Sequence, residues 1–439
     1  MKAVLLVAGA GERLQPLTAT RPKHLLKVAG KPLMQFSLEA LKHAGITEIV
    51  LITHYRAEDI EHCFGDGSEL GLKLSYVRQP QILGTGNAAA IAEPFIDEEF
   101  VLIYGDLLFG QDTIKVVVDK FKNNNQPAAV MGVVAVDHPE NYGIIEQTTK
   151  GAVKRIVEKP EAGKAPSNLA NAGVYVFTQE IFDKIRQTKT SIRGEVELTD
   201  AITMLAEQGQ TVLSAELSKE DWFDVGRPWD LLDANLWALK RIKHCVLGKV
   251  EEGAHLNGVV SVAASAHIRS GAYIEGPVFI DEQADIGPNC YIRSGTSIGK
   301  KTRVGNAVEI KNSIIMDGTH VGHLSYVGDS ILGENCNLGA GTITANLRFD
   351  KNNIKMKIKD KHTDTGRHKL GAILGDNVQT GISTLFMPGI KVGTNTWVGA
   401  NVMVQQDLPA NSTAQLKQTI EIKQKPTNNN SQKTTHNTS

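Results

Sequence analysis

From Val250 onward an aliphatic residue recurs at every sixth position without interruption: Val250, Leu256, Val262, Ile268, Ile274, Ile280, Ile286, Ile292, Ile298, Val304 and Ile310. If about a quarter of positions were Ile, Leu or Val at random, eleven successive hits in a chosen register would arise on the order of one time in a million. The phase then slips, and Val321/Val327, Leu332/Leu338/Thr344, Leu374/Thr380 and Val392/Val398/Val404 carry it on. A six-residue period with small or turn-forming residues after the aliphatic position fits one side of a triangular coil, three sides making an 18-residue turn. Each aliphatic points inward and stacks on its equivalent one coil away, while glycine and asparagine accept the positive φ values of the corners. The repeat predicts a parallel β-helix. Residues 345–372 break it with a strongly basic stretch, expected to be a loop thrown out of the coil.

The first 230 residues follow another rule. Short apolar runs (2–7, 48–52, 100–103, 128–136 and 174–177) alternate with stretches of helical spacing (33–44 and 114–123), and 229–243 reads as a further helix. This alternation predicts an α/β unit with a mostly parallel sheet between helices and ligands at the carboxyl ends of the strands, so the loops after Val7 and Ile103 come first in the search for a site. A length of 439 residues accommodates two to three domains. The expected division is 1–230, a linker helix 231–247, the coil 248–412 and a tail 413–439. The tail ends in PTNNNSQKTTHNTS, which has no apolar content to order it.

Composition removes several classes of function. With 47 basic against 48 acidic side chains the net charge is -1, which gives no field for nucleic acid or an anionic membrane, so any anion must be held by local cations. Cys63, Cys245, Cys290 and Cys336 lie far apart with no C-x-x-C pair, so a reducing, cytoplasmic setting is expected rather than a disulfide framework or thiolate zinc site. No apolar run is long enough for a membrane helix, and the start MKAVLLVAGAGERL is too short and too soon charged for a signal peptide.

The segment LLVAGAGERLQPLTATRPKHLL places Gly9 and Gly11 directly after a strand, with Arg13 and Lys23 close behind. Glycines there let backbone N–H groups approach a phosphate, and the two cations can neutralise a triphosphate. The spacing is neither G-x-G-x-x-G nor G-x-x-x-x-G-K-[ST]. It resembles the sugar-1-phosphate nucleotidylyltransferases, whose signature G-x-G-x-R-L-x-P-L-T-x-x-x-P-K is matched from Gly9 to Lys23, with Glu12 in place of the common threonine. The resemblance implies a Rossmann-like nucleotidyltransferase domain with Arg13 and Lys23 as the catalytic cations. It further implies that Gln79, Gly84 and Thr85 read the nucleotide base and that Gly143, Glu158, Lys159 and Asn171 hold the sugar phosphate. Asp106 and Asp224 would hold Mg2+, since two oxygen ligands plus waters and phosphates suit that ion. Read by residue type alone, Asp106 could equally cap a helix and Asp224 could pair with Arg227.

The stretch VEIKNSIIMDGTHVGHLSYVGDSILGENCNLGAGTITANL carries G-H-L-[ST]-Y-x-G-D and N-x-G-A-G-T-I-T-x-N. It resembles the acetyltransferase half of the bifunctional N-acetylglucosamine-1-phosphate uridylyltransferases/glucosamine-1-phosphate acetyltransferases. That resemblance implies a left-handed coil, assembly as a homotrimer with the acetyl site between subunits, and acetyl-CoA as co-substrate. It implies His323 as general base, a role that histidine's ordinary pKa near 6.5 suits. Arg293 and Lys311 would hold the sugar phosphate, Tyr326, Asn337 and Lys369 the sugar, Asn346 the acceptor amine, and the backbone near Ala340 and Ala400 the thioester. Ile382 stands where the family usually has a serine.

The expected activity is acetylation of an amino-sugar-1-phosphate followed by its transfer to UMP, with UTP or dTTP as the triphosphate. One alternative is a single-activity glucose-1-phosphate thymidylyl- or uridylyltransferase with a structural coil, which the P-L-T-x-x-x-P-K loop favours. Another is a non-catalytic scaffold on the same fold, against which the presence of Arg13, Lys23, Asp106 and Asp224 together weighs.

Overall fold

A computed structural model describes residues 1–149, 151–191 and 194–425; the end of the expected tail, 426–439, lies outside the described residues. The amino-terminal sheet has nine strands: β1 (Lys2–Val7), β2 (Glu48–Thr53), β3 (Lys73–Arg78), β4 (Phe100–Tyr104), β5 (Ala129–Ala135), β6 (Gly143–Gln147), β7 (Val153–Glu158), β8 (Leu169–Phe177) and β9 (Val212–Glu216). Their order is β7-β6-β8-β4-β1-β2-β3, with β5 joining β8 to β9. Strands β4-β1-β2-β3 are parallel, but β8 runs antiparallel to β4, β5 and β6, and β6 antiparallel to β7. The sheet is therefore mixed, with β7 and β8 running against the other seven strands. The five residues between β6 and β7 are too few for a crossover, so those strands can only form a hairpin.

Alternation along β1 explains the two apolar layers. Ala3, Leu5 and Val7 face helices Leu33–His43 and Thr113–Lys122, while Val4 faces Thr85–Ile91 and Leu198–Glu207 across the sheet. The carboxyl ends of β1 and β4 thus open side by side, at Gly9 and at Asp106.

The second half is a three-sided coil of parallel sheets with eight, nine and eight strands. Ile268 lies beside Ile286 and Ile286 beside Val304, eighteen residues per turn. Val304 then lies beside Val321 and Val321 beside Leu338, seventeen per turn, which is the physical origin of the phase slip after Ile310. The aliphatic column is buried from Val262 onward, while Val250 on the first coil is exposed and Leu256 partly buried, and many corners are turned by asparagine at positive φ, among them Asn289, Asn312, Asn335, Asn377 and Asn395. Thr344 continues one column between Val327 and Phe386, its hydroxyl held inside the coil, where it accepts from Gly328 N at 2.9 Å.

The expected boundaries shift at both ends of the coil. Its first strands are Cys245–Val246 and Lys249–Val250, and Thr413–Ala414 still pairs with Trp397–Val398, so the last rung includes the start of the expected tail. The helix expected as a linker spans Asp230–Leu239 and is buried on most sides. Its Leu231, Leu232 and Trp237 share one apolar cluster with Leu14, Leu17 and Leu26 of the amino-terminal unit and with Ile314, Ile331 and Ile373 of the coil. Those three isoleucines occupy the same outward position of the first coil sheet on successive strands. That sheet's outer face is therefore covered over its middle strands by the amino-terminal unit, while its first strand, Cys245–Val246, is exposed. Among the described residues no helix is long and apolar enough to cross a membrane.

Residues 355–364 of the basic excursion form a hairpin, Lys355–Ile358 against Lys361–Asp364. Its base returns beside the coil, where Leu370 N donates to Asn346 O at 3.0 Å. Its Ile354 and Met356 are buried in the shared apolar cluster, and Lys359 at the hairpin turn pairs with Glu12 at 2.7 Å.

Candidate active sites

The glycine loop after β1 folds back on the chain that follows. Gly11 has φ 67°, and a side chain there would press on Lys23 Cβ at 3.0 Å and Thr18 Cγ2 at 3.1 Å. Thr18 Oγ1 donates to Gly11 O at 2.9 Å and Leu14 N to the same oxygen at 2.9 Å, so the loop closes as a tight turn. The Lys23 ammonium lies against Gly9 and donates to Asp106 Oδ2 at 2.5 Å. Burial works against the ionised Asp106, but the charge and hydrogen bond of Lys23 outweigh it and hold the carboxyl below its ordinary range.

Asp224 ends a short strand, Trp222–Asp224, that pairs antiparallel with Leu107–Phe109, and Val225 N reaches Asp106 O at 3.3 Å. The two carboxylates are brought to one place by this ladder. Burial pushes Asp224 up, the neighbouring Asp106 adds to the rise, and Arg13, Lys23 and Arg227 offset part of it. The Arg13 guanidinium packs over Gly226. Neither structural role left open by residue type describes these aspartates: Asp106 is engaged by Lys23, and Asp224 faces a cavity.

That cavity, about 290 Å³, is lined by Arg13, Thr85, Asp106, Gly143, Glu158, Lys159, Asn171 and Asp224. Gly143 and Glu158 are cross-strand partners of β6 and β7, and a side chain at Gly143 would meet Glu158 Oε2 at 2.7 Å. Asn171 is fixed by Tyr175, whose hydroxyl is 2.6 Å from Asn171 Nδ2. Gly84, at φ 102°, approaches Val196 O so closely that only glycine fits, and this sets Thr85 at the start of its helix, where Thr85 Oγ1 accepts Leu198 N at 3.1 Å. Gln79 is placed differently: its side chain is buried and donates to Asn87 Oδ1 at 2.8 Å, away from the cavity lining. Tyr104, Tyr142, Trp222, Glu195 and Glu197 also line the cavity and were not singled out by sequence. Tyr104, Tyr142 and Trp222 adjoin matched residues in sequence, whereas Glu195 and Glu197 lie more than about twenty residues from any of them and carry no such signal.

A second group of polar residues gathers at a corner of the coil. Arg293 pairs with Glu309 at 3.0 Å on the adjacent strand, and Lys311 pairs with Asp329 at 3.1 Å. Asn346 Nδ2 donates to Asp329 Oδ2 at 2.6 Å and lies 3.1 Å from the Tyr326 hydroxyl. Asp329 is buried, sits at φ 49°, and also accepts Asn312 Nδ2 at 2.7 Å, so it organises the cluster. It is the last residue of the quoted G-H-L-S-Y-x-G-D, a signal that was on view but unassigned. Lys369 bridges to Leu347, beside Asn346.

His323 ends the strand His320–His323 with its side chain exposed, next to Asn306 on the preceding coil. Gly341 N donates to His323 O at 3.4 Å, Ser383 N to Ala340 O at 2.8 Å, and Asn401 N to Ile382 O at 2.9 Å. His323, Ala340, Ile382 and Ala400 thus form one column on four successive coils, with Ile382 between the two alanines and exposed. Asn337 is on the neighbouring strand, paired with His320, the first residue of the strand that His323 ends. Among the described residues no cluster of three or more His, Cys, Asp or Glu forms a metal site. The Asp106–Asp224 pair, with like charges and one raised pKa, is instead a two-carboxylate donor set that a hard divalent cation fits.

Comparison with known proteins bears on both sites. Residues 2–241 match the family described as nucleotidyl transferase, and residues 274–387 match the GMPPB C-terminal domain. The chain is 43% identical over 412 residues to the bifunctional protein GlmU of Methanocaldococcus jannaschii, covering 94% of this chain and 97% of that one. It is 40% identical over 412 residues to the bifunctional sugar-1-phosphate nucleotidylyltransferase/acetyltransferase of Sulfurisphaera tokodaii, covering 93% and 98%. A UDP-glucose pyrophosphorylase solved with UDP-glucose superposes with TM-score 0.50 at 28% identity, over 55% of this chain and 99% of that one. The chain belongs to the nucleotidyl transferase family and, by its near full-length likeness to these relatives, to the bifunctional sugar-1-phosphate nucleotidylyltransferase/acetyltransferases.

Proposed function

We propose that the protein acetylates glucosamine-1-phosphate (or galactosamine-1-phosphate) with acetyl-CoA and then transfers UMP from UTP to the N-acetylated product, releasing pyrophosphate. The observation that carries the reading is the presence of two separate cation-bearing sites in one chain, the Arg13–Asp106–Asp224 cavity and the Arg293–Lys311–Asn346 corner. In the first, the sugar-phosphate oxygen attacks the α-phosphorus in line, the new P–O bond forms, and the bond to the β-phosphate breaks. Arg13 and Lys23 neutralise the two anions as they meet, and Glu158, Lys159 and Asn171 orient the sugar phosphate. Asp106 and Asp224 would hold Mg2+, which supplies further neutralisation of the phosphates.

In the second site Arg293 and Lys311 exchange part of their pairing with Glu309 and Asp329 for the sugar phosphate. The amine nitrogen, oriented by Asn346, attacks the thioester carbon; His323 takes its proton, and the C–S bond breaks. The column from His323 through Ala340 and Ile382 to Ala400 gives an extended thiol ester a straight track. A left-handed winding and a homotrimer belong to the same reading. With the first coil sheet covered, the second and third sheets, which meet near His323, are the faces left for neighbouring subunits. We place the chain in the cytoplasm, to which its four unpaired cysteines are suited.

The test is a matrix of sugar-1-phosphates against UTP and dTTP with acetyl-CoA and magnesium, following free thiol and pyrophosphate separately. Thiol release with an amino sugar and none with glucose-1-phosphate supports the bifunctional reading. Pyrophosphate release with no thiol from any amino sugar overturns it in favour of the single-activity alternative.

A further inference from the structure

Three acidic residues recur at one position of three successive coils: Asp317, Glu334 and Asp376, each two residues after the buried aliphatic of the first sheet, Ile315, Leu332 and Leu374. All three face cations within or directly after the stretch that carries the nucleotide-site signature. Lys27 pairs with Asp317 at 2.6 Å, and Arg21 divides its guanidinium between Glu334 and Asp376, each at 2.5 Å. Thr20 Oγ1 also donates to Asp376 Oδ2 at 2.5 Å, while Asp376 Oδ1 accepts Glu334 N at 2.8 Å. The Arg21 and Asp376 side chains are only 14% and 8% exposed, so this contact is shielded from salt and water, unlike the outlying Glu12–Lys359 pair.

Arg21 lies two residues before Lys23, at the entry of one 3-10 turn capped by Pro22. The two side chains leave this short stretch for different targets, Arg21 for the coil and Lys23 for Asp106. We infer that Arg21, held by Glu334 and Asp376, is a positioning residue for nucleotidyl transfer: the coil fixes the turn from which Lys23 reaches the phosphates. The inference rests on the nucleotidylyl reading of Lys23. It assigns the coil a part in the chemistry of the other half. A planar guanidinium bound to two carboxylates fixes direction as well as distance, which a point charge cannot. A misplacement of about 1 Å in a catalytic group costs up to about a hundredfold.

The test uses the full chain with Arg21→Gln and Asp376→Asn, measuring kcat for pyrophosphate release, equilibrium binding of UTP, thiol release in acetyl transfer, and the melting temperature. The expected result is a fall in kcat of about tenfold to a hundredfold, with UTP affinity changed less than threefold and acetyl transfer within twofold. Arg21→Lys, which can satisfy one acid at a time, should recover part of the loss. A purely structural contact would lower the melting temperature and leave kcat of the folded fraction unchanged, and that result overturns the inference. If Arg21→Gln fails to fold, Thr20→Val and Glu334→Gln, each removing one arm, decide the matter by the same kcat criterion. Lys23→Ala runs in parallel: should it retain full turnover, the nucleotidylyl reading itself fails, whereas an inactive Lys23→Ala beside fully active clamp variants sinks only the clamp.

Discussion

His24 offers a quantitative test of how the signature loop is packed. Its ring is 1% exposed, and among the described residues neither ring nitrogen has a hydrogen-bond partner. Burial, with Lys23 adding to it, pushes its pKa down to about 3 from 6.5. The folded protein therefore carries a neutral His24 throughout the range in which the unfolded chain takes up a proton. Stability from this residue is intact above pH 6.5, falls as pH drops below 6.5, and levels off only near pH 3. At about 1.4 kcal/mol per unit, the loss between pH 8 and pH 5 is roughly 2 kcal/mol. The perturbation is His24→Leu, which cannot titrate and leaves no unpaired polar atom; at pH 8 it should match or exceed the wild type, because an unsatisfied buried group costs roughly 1–3 kcal/mol. Urea unfolding of both proteins at pH 8, 6.5 and 5 isolates the residue, since every other group titrates in both. The wild type should lose about 2 kcal/mol relative to the variant on going from pH 8 to pH 5. A gap between the two that stays constant across that range would refute a buried, neutral His24.

Four further outcomes are expected. Lys23→Ala should lower the rate of pyrophosphate release at least about a hundredfold, roughly 2.7 kcal/mol of transition-state stabilisation, in a coupled phosphate assay. His323→Ala should abolish thiol release with glucosamine-1-phosphate while pyrophosphate release from UTP with N-acetylglucosamine-1-phosphate continues; survival of acetyl transfer would remove His323 as the base. Ile382→Ser, restoring a hydroxyl between Ala340 and Ala400, should lower KM for acetyl-CoA a fewfold without changing nucleotidyl transfer. Asn235 is fully buried and bonds Ala29 N at 2.9 Å, Ser297 Oγ at 2.6 Å and Gly295 O at 3.0 Å, linking both halves; Asn235→Leu should cost about 3 kcal/mol in urea unfolding by stranding three groups.

The coil was legible because a one-dimensional stack repeats its demand: every sixth side chain meets the same interior, and eleven aliphatics in one register leave no other solution. Even the slip after Ile310 was visible as a phase change, although its cause, two turns shortened to seventeen residues, needed the strand register. The mixed sheet was not legible. β6 and β7 offer the same half-apolar strand pattern whether they run parallel or antiparallel, and only the short connection between them decides. Of the motif residues of the nucleotide site, Arg13, Thr85, Asp106, Gly143, Glu158, Lys159, Asn171 and Asp224 line one cavity; Gly9, Gly11, Lys23 and Gly84 lie outside its lining, and Gln79 faces Asn87. Burial of that amide is a tertiary outcome, and a glutamine's residue type does not distinguish a partner inside the protein from a ligand outside it.

The acidic ladder marks the boundary between what a sequence displays and what it lets one interpret. Asp317, Glu334 and Asp376 follow I-I-M-D, I-L-G-E and I-L-G-D, so their periodicity was as visible as that of the aliphatics. A charge at a fixed outward position of a coil reads by default as a solvated face, because an isolated stack has water on every side. Ile314, Ile331 and Ile373 in the same rungs contradict that default, since three outward-facing isoleucines on consecutive coils are costly to leave in water, at about 25 cal/mol per Å² of apolar surface. Taken together, the isoleucines require a covering partner and the acids require that partner to be basic. Arg21 and Lys27, flanking the signature lysine, meet both conditions. A stack whose first face is covered by the amino-terminal unit keeps two faces clear of it, and the corner where those two faces meet is where His323 stands.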